Sequence, residues 1–352
     1  MTELDRIRAQ YPPTDVLRLS VFGVHLRVHT NDARVAAGLG EYFAPYRSTD
    51  AAAGALPVFV IHGEPVYDPA RMRDVPRGER SVKEATYDAA DARIVLKRRT
   101  GVTIYIAEPE HYAVGDMTRD LHQAVNAISM VFTKAMLRRG YVMLHASAGL
   151  GEDGGIAFAA PSGTGKSTMA LALLDDGYQF VTNDRLLVRP AGGVVEMVGV
   201  PKIPRVNPGT LLRLPKLTSR LPQEARLRYE RMAPEVLWAV EEKREVPVDA
   251  VYGPGTLRLA GRLRIVYVLQ WKPGGTGWEV RPLEGEARTM ALRRMSKGMG
   301  VYDPHPPAPG EAQRLLDAVG GTIPVHAVTG AVDIPGLRAF ILDRSVRHAP
   351  CS

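Results

Sequence analysis

The stretch GGIAFAAPSGTGKST, residues 154–168, decides the fold that this sequence predicts. Residues 156–160 are small or apolar, which is typical of a buried strand in a parallel sheet. A turn with two glycines follows at 161–165, and the apolar run 169–174 then has good helix formers. The sequence therefore predicts a strand, a glycine-bearing turn and a helix in immediate succession.

The turn and the start of the helix have the composition of a phosphate-binding loop. Gly163 and Gly165 allow backbone N–H groups to point at an anion, and the positive end of the following helix adds to the attraction. Lys166 is predicted to reach the β- and γ-phosphates, and the Ser167 hydroxyl to hold Mg²⁺. Ala160 replaces the first glycine of the usual G-x-x-x-x-G-K-[ST] pattern, but its small side chain still permits a close backbone approach. The predicted cofactors are ATP and Mg²⁺, and the candidate binding residues are Pro161, Ser162, Gly163, Thr164, Gly165, Lys166, Ser167 and Thr168.

Composition limits the class of protein. The chain has 352 residues, enough for about two domains, and 45% of them are hydrophobic. It contains no apolar run near the roughly 20 residues that span a bilayer, and its first residues lack the apolar core of a signal peptide. The single cysteine, Cys351, excludes a disulfide framework and a thiolate metal site. We therefore expect a cytoplasmic protein with no membrane partner.

The net charge of +7 admits an anionic partner without naming one. The basic residues are spread along the chain. The denser runs, at 97–99 and 213–216, have no interleaved aromatic residues on which bases could stack. These runs are interpreted as solvated surface, and no nucleic-acid partner is expected.

The first third of the chain predicts an α+β accessory domain over residues 1–115. Alternating or apolar segments predict strands at 16–30, with an interruption at 22–23, and at 56–62, 84–87, 93–97 and 102–106. Asn31 and Asp32 are candidate caps for a short helix to Tyr42. A long helix is predicted from about 116 to 139, because apolar residues recur every three or four positions. No catalytic constellation precedes His145.

The following residues predict a catalytic centre. His145 lies in a predicted strand, 141–148, just before the glycine-bearing loop. The strand 178–181 then brings Asp184 to its carboxyl end, where open α/β sheets bind ligands. Asp184 is therefore a candidate Mg²⁺ ligand or base for an attacking hydroxyl. For both residues a structural role stays open: His145 as a satisfied core residue, Asp184 as a turn cap.

The order of these features resembles the HPr kinase/phosphorylase family and its divergent relatives. The resemblance rests on His145 in a strand, the loop SGTGKST, a helix that ends in DG, and the segment FVTND; it covers 141–212 well and extends loosely to about 340. It implies ATP-dependent phosphoryl transfer to a hydroxyl, with Asp184, His145 and Lys166 as catalytic residues, and it suggests a homo-oligomer. The implied fold class is α/β: a P-loop kinase core of the HPr kinase/PEP carboxykinase type at 116–345, with the helix 116–139 as connector to the N-terminal α+β accessory domain.

Two departures from the family pattern bear on the acceptor. Asn183 occupies the position of the first residue of an acidic pair, and GVPKIPR at 199–205 replaces a segment that carries a metal-binding glutamate. Lys202 and Arg205 of that segment are candidates to meet phosphate charge, or else belong to a solvated loop. The implied partner is a hydroxyl-bearing acceptor, either a protein serine or a small metabolite, and HPr itself is not expected.

Two other functions stay open. A carboxykinase of the phosphoenolpyruvate type shares the SGTGK loop, but it needs a metal-binding lysine and histidine that were not found. A nucleotide-binding sensor or scaffold with little phosphotransfer would be compatible with the missing second carboxylate.

In the last third of the chain, strands are predicted at 263–270, with 278–282 pairing alongside, and at 324–328. Helices are predicted at 286–295 and 310–319. His305 and His326 lack partners at metal-ligand spacing, so no zinc is expected.

Overall fold

The computed structural model describes residues 1–50, 52–76, 82–272, 274–308 and 310–347, so Cys351 lies outside the described residues. The chain forms two compact units. The first contains Met1–Arg139 together with Gly298–Pro306, and the second contains Gly140–Lys297 and the chain from Pro307 onward. No helix in the described part of the chain has the length and apolar character needed to cross a membrane.

The first unit is built on an eight-stranded sheet in the order β1-β2-β3-β8-β7-β6-β5-β4. Its strands are β1 (Asp15–Val21), β2 (Val24–Thr30), β3 (Leu56–His62), β4 (Arg73–Asp74), β5 (Glu84–Asp88), β6 (Arg93–Lys97), β7 (Thr103–Ile106) and β8 (His111–Gly115). Its helices are α1 (Glu3–Gln10), α2 (Ala33–Tyr42) and α3 (Leu121–Arg138). The predicted interruption at 22–23 separates β1 from β2, and the predicted strands 84–87, 93–97 and 102–106 correspond to β5, β6 and β7. The predicted cap is confirmed for Asp32, whose carboxylate accepts hydrogen bonds from the first N–H groups of α2.

Helix α3 belongs to the first unit. The sequence placed the boundary near residue 115 and made this helix a connector, but the division lies after Arg139. The physical reason is that α3 packs on β2, β3 and β8 and is buried along most of its length. The helix is therefore part of the core of the first unit.

The second unit contains a nine-stranded mixed sheet. Its path runs β12-β10-β11-β17-β14-β13-β9, and β19 pairs with both β17 and β18. The strands of this unit are β9 (Val142–Leu144), β10 (Ala146–Gly151), β11 (Gly154–Ala159), β12 (Gln179–Thr182), β13 (Leu186–Ala191), β14 (Val194–Gly199), β15 (Arg205–Val206), β16 (Arg244–Glu245), β17 (Ala260–Leu269), β18 (Trp278–Leu283) and β19 (Val325–Gly330). The two-residue strands β15 and β16 form a separate two-stranded sheet.

Helices cover both faces of this sheet. They are α4 (Lys166–Ala172), α5 (Pro208–Arg213), α6 (Pro215–Thr218), α7 (Gln223–Glu230), α8 (Pro234–Ala239), α9 (Val248–Tyr252), α10 (Gly285–Met295), α11 (Glu311–Thr322) and α12 (Ile334–Arg347). Alternate residues of β11 enter opposite cores, as a strand requires. Ile156 and Phe158 pack with residues of α4 and α12, whereas Ala157 and Ala159 pack with residues of α10 and α11.

Three details of the second unit differ from the sequence prediction. The predicted strand 141–148 is divided at His145, because β9 pairs with β13 while β10 pairs with β11 and β12. Strand β18 pairs with β19 and not with β17, and helix α12 was not predicted. The charged stretch 217–245 forms short helical segments and ends in β16.

Candidate functional site

The loop PSGTG, residues 161–165, which we call the glycine loop, lies at the carboxyl end of β11. This strand is buried and runs parallel to β17, so the loop emerges at the edge of the sheet where α/β proteins bind ligands. Gly163 (φ 83°) and Gly165 (φ 93°) adopt left-handed backbone conformations that favour glycine. Ala160 is fully buried in the apolar core of the second unit.

Three hydrogen bonds hold the glycine loop in shape. The indole Nε1 of Trp271 donates to the Thr164 carbonyl (2.8 Å). The Thr164 hydroxyl and the Lys166 ammonium both donate to the Pro161 carbonyl, at 3.0 Å and 2.7 Å. Lys166 therefore closes back over the loop that precedes it.

Lys166 is a buried cation, with only 6% of the residue exposed. Its burial, together with repulsion from Lys297 and Lys243, lowers the pKa of Lys166 to about 8, although Asp184 acts in the opposite direction. A buried ammonium in this state is best satisfied by an anion. Its environment is therefore suited to phosphate oxygens.

Asp184 lies in the bend between β12 and β13, where the sequence predicted it. Its Oδ1 is 3.2 Å from His145 Nε2, and its Oδ2 accepts a hydrogen bond from Lys297 Nζ at 3.0 Å. Partial burial acts against ionisation, but the His145 hydrogen bond and the Lys297 charge outweigh it and hold the pKa of Asp184 well below its ordinary value. The side chain is 49% exposed, so the carboxylate is both ionised and accessible.

Lys297 is the site residue that sequence reasoning missed. The chain after α10 runs beside β9: the Lys297 N–H donates to the Met143 carbonyl (2.8 Å), and the His145 N–H donates to the Met295 carbonyl (2.7 Å). These two bonds bring both partners of the Asp184 carboxylate to one place. His145 itself lies between β9 and β10, and its imidazole contacts Asp184.

Asn183 links the glycine-loop helix to this carboxylate. Its carbonyl accepts hydrogen bonds from Ser147 Oγ (2.7 Å) and Ser167 Oγ (3.2 Å), and its side-chain amide donates to the Arg205 carbonyl (3.1 Å). Ser167, a predicted Mg²⁺ ligand, thus lies beside the residue that precedes Asp184. The Thr168 hydroxyl is buried against the Thr210 hydroxyl at 2.8 Å.

Ser167 and Asp184 are the candidates to hold a magnesium ion that would take its other ligands from phosphates and water. Mg²⁺ is commonly bound through one or two carboxylates plus substrate phosphates. Here the Ser167 hydroxyl contacts the Asn183 carbonyl, and Asp184 is the next residue along the chain. Within the described residues, no group of three or more His, Cys, Asp and Glu side chains is placed to hold a metal ion.

Lys202 and Arg205 follow the end of β14, close to Asn183. The last residue of β14, Gly199, lies very close to β12: a Cβ at this position would be 2.2 Å from the Val181 carbonyl oxygen. The Arg205 Nη2 donates to the Lys243 carbonyl (3.3 Å). Its Nε is buried and has no hydrogen-bond partner among the described residues.

Comparisons with known proteins add little to this geometry. No family model and no curated protein matches the chain. Among solved structures, it is similar to the Hpr(Ser) kinase/phosphatase from Coxiella burnetii, with 12% identity and a TM-score of 0.31, over 58% of this chain and 95% of that chain. A likeness of this size carries no argument about function.

Proposed function

We propose that this chain is a kinase that transfers the γ-phosphoryl group of ATP to a hydroxyl-bearing acceptor, a protein serine or a small metabolite. The proposal depends above all on one observation: Asp184 is about half exposed, and its two carboxylate oxygens are held by His145 at 3.2 Å and by Lys297 at 3.0 Å. Its negative charge also favours the protonated form of Lys166. The glycine loop and Lys166 would bind the phosphates. Mg²⁺ bound with ATP would neutralise phosphate charge, held by Ser167 and Asp184.

The transfer step assigns a limited role to Asp184. The acceptor oxygen bonds to the γ-phosphorus while the bridging P–O bond to ADP breaks, and the hydroxyl proton passes to the Asp184 carboxylate. Since the pKa of Asp184 is well below its ordinary value, the carboxylate orients the hydroxyl and accepts its proton late. His145 and Lys297 keep the two carboxylate oxygens in position.

A nucleotide sensor with little phosphotransfer is the second candidate. The specific observation in its favour is Asn183, whose amide and carbonyl are both used in structural hydrogen bonds. The centre therefore has one carboxylate, whereas an acidic pair could bind the metal with one carboxylate and accept the hydroxyl proton with the other. Such a protein would bind ATP tightly and turn it over slowly.

The test combines calorimetric binding of Mg²⁺-ATP with ADP release in the presence of candidate acceptors. Lys166→Ala should weaken nucleotide binding about 10- to 100-fold, because a charged hydrogen-bond donor is lost, and activity should fall with it. Asp184→Asn should reduce ADP release about 10²- to 10⁴-fold, and it should lower nucleotide affinity less than Lys166→Ala does, because the glycine loop and Lys166 are unchanged. Arg281→Gln, at an exposed position on β18, is the control and should match the wild type.

Four results decide between the candidates and test them. Acceptor-dependent ADP release that Asp184→Asn abolishes supports the kinase. Tight nucleotide binding without acceptor-dependent turnover supports the sensor. Unimpaired turnover in Asp184→Asn removes that residue from its role, and a wild-type protein that does not bind Mg²⁺-ATP contradicts both proposals.

A further inference from the structure

Trp271 lies directly against the glycine loop. It follows β17, the parallel neighbour of β11, so the tryptophan and the loop leave the sheet at the same edge. The residue is buried, with 4% exposed. The backbone on either side of it is fixed, because the Gln270 N–H donates to the Val328 carbonyl (2.8 Å) and the Lys272 N–H donates to the Gly330 carbonyl (2.9 Å). The sheet therefore anchors the indole independently of the loop.

The indole fixes the direction of one peptide group in the glycine loop. Its Nε1 donates to the Thr164 carbonyl at 2.8 Å. In a trans peptide the C=O and the following N–H point in opposite directions, so the Gly165 N–H points away from Trp271. No hydrogen-bond acceptor for this N–H occurs within the described part of the chain. Because Gly165 is partly exposed, its N–H is available to a ligand.

The reverse orientation of this peptide is unfavourable. A flipped peptide would direct the Gly165 N–H at the indole, whose nitrogen is only a donor. Ile334 Cδ1, which lies 3.5 Å from the position of a Gly165 Cβ, offers no acceptor either. The flip would leave an N–H unsatisfied and break the bond to the Thr164 carbonyl, and both changes cost free energy. It would also turn a carbonyl oxygen toward the side from which an anion approaches.

We propose that Trp271 is a positioning residue that aims the Gly165 N–H at a phosphate of the bound nucleotide. The inference rests on the nucleotide binding proposed above, and it adds to the site a residue that lies 107 positions from Thr164. Trp271 acts through the peptide between Thr164 and Gly165 and touches no phosphate itself. Backbone N–H groups of a turn form concavities that bind anions, and hydrogen bonds to anions are stronger than neutral ones. The direction of this N–H should therefore affect phosphate affinity.

Trp271 also has a role in the core, which must be separated from this one. Its ring belongs to the apolar core that contains Phe158 of β11 and Leu337 of α12, so loss of the whole side chain would lower stability. Trp271→Phe keeps an aromatic ring and removes the N–H. Trp278→Phe is the matched control, because Trp278 lies in the same unit and its ring packs edge-on against Phe340 at 6.1 Å. A purely structural role would change stability and leave the phosphate affinity of the folded protein unchanged.

The first test is calorimetry of each full-length protein with inorganic pyrophosphate and with Mg²⁺-ADP. Trp271→Phe should weaken the binding of both ligands about 3- to 10-fold, because one directed hydrogen bond is lost. Trp278→Phe should bind both ligands as the wild type does. Circular dichroism checks that each variant is folded, and urea denaturation measures its stability separately.

The second test observes the Gly165 N–H itself by nuclear magnetic resonance. Labelling with ¹³C-carbonyl threonine and ¹⁵N-glycine selects the amides of glycines that follow a threonine. The sequence has four of them, at Gly101, Gly165, Gly277 and Gly330, and Gly165→Ala identifies the resonance of interest by its absence. Pyrophosphate should shift the Gly165 amide downfield, as a hydrogen bond to an anion requires, and should shift the other three less. Trp271→Phe should lose most of that shift.

The outcomes separate this inference from the kinase proposal. If the wild type binds pyrophosphate without a shift at Gly165, the inference is wrong and the kinase proposal stands; this result needs no variant, so it decides even where Trp271→Phe fails to fold. The inference is also wrong if Trp271→Phe retains the wild-type affinity, or if Trp278→Phe loses as much. A wild type that binds neither ligand contradicts the kinase proposal, and this inference with it.

Discussion

At the scale of single residues, the buried ammonium of Lys166 should couple nucleotide binding to pH. Its pKa is about 8 in the free protein because of burial and neighbouring cations. A bound triphosphate raises that pKa, since an opposite charge favours the protonated form. We therefore predict that nucleotide binding takes up protons near pH 8, and that affinity falls as the pH rises above 8.

Calorimetry in buffers of different ionisation enthalpy measures this uptake at pH 7 and pH 8.5. Lys166→Arg is the matched variant, because a guanidinium stays protonated at both pH values. The part of the proton uptake that Lys166 contributes should therefore disappear in this variant. Lys202→Gln should keep that share, although Lys202 also has a pKa of about 8. Equal uptake in the wild type and Lys166→Arg would contradict the prediction.

The same shift predicts how Lys166 affects stability. The folded-state pKa lies below the ordinary value of 10.5, so the unfolded chain binds more protons between pH 8 and 10.5. The contribution of Lys166 to the free energy of unfolding therefore increases as pH rises through that window.

Individual site residues were predictable from the sequence where a local pattern exists. Lys166 and Asp184 each follow a predicted strand and lie at its carboxyl end, so topology alone placed them. Lys297 could not be found in this way, because it is 113 residues from Asp184 and follows an ordinary helix. Its place depends on backbone pairing beside β9, which the sequence does not encode locally.

At the scale of secondary-structure elements, apolar patterning predicted most strands but not their partners. The run YVMLHASA is continuous in hydrophobicity, yet its two halves pair with different strands and divide at His145. Strand β18 was assigned to β17, whereas β19 lies between them. The alternation of apolar and polar residues determines which face of the sheet each side chain occupies. It does not determine which strand pairs alongside, because pairing depends on long-range packing.

The glycine loop is the element whose backbone carries a direct prediction. Gly165 has φ 93°, and a Cβ there would lie 3.5 Å from Ile334 Cδ1, in ordinary contact. Gly165→Ala is therefore opposed by backbone conformation more than by space, which costs about 1–2 kcal/mol of stability. It should also weaken nucleotide binding, because relaxation of φ redirects the N–H groups of the loop.

Gly177→Ala is the matched control. Gly177 follows the other end of the same helical segment with φ 83°, and a Cβ at this position would have no described atom within 4 Å. Urea denaturation should show similar destabilisation in both variants, whereas only Gly165→Ala should lose nucleotide affinity. Equal affinities in the two variants would show that the loop does not bind the nucleotide.

At the scale of the whole molecule, the two compact units are not continuous in sequence. The chain leaves the second unit after Lys297, contributes Gly298–Pro306 to the first, and then returns. Composition predicted about two domains, but a nine-residue excursion of this kind has no hydropathy signature. The segment is held by specific contacts: Tyr302 donates to Glu84 Oε1 at 3.1 Å and accepts a hydrogen bond from the Lys97 ammonium.

Tyr302→Phe should therefore destabilise the first unit. Phenylalanine keeps the ring beneath the Lys97 ammonium, which is 4.6 Å from the ring centroid, and removes the hydroxyl from a carboxylate that is 5% exposed. The expected loss is about 1–2 kcal/mol, the range for a hydrogen bond to a buried charged group. Hydrogen exchange of β5 and β6 should accelerate about tenfold or more.

All three tryptophans belong to the second unit, so tryptophan fluorescence reports on that unit alone. Both this fluorescence and nucleotide affinity should be unchanged in Tyr302→Phe. Unaltered exchange in β5 and β6 would mean that the Gly298–Pro306 segment does not stabilise the first unit.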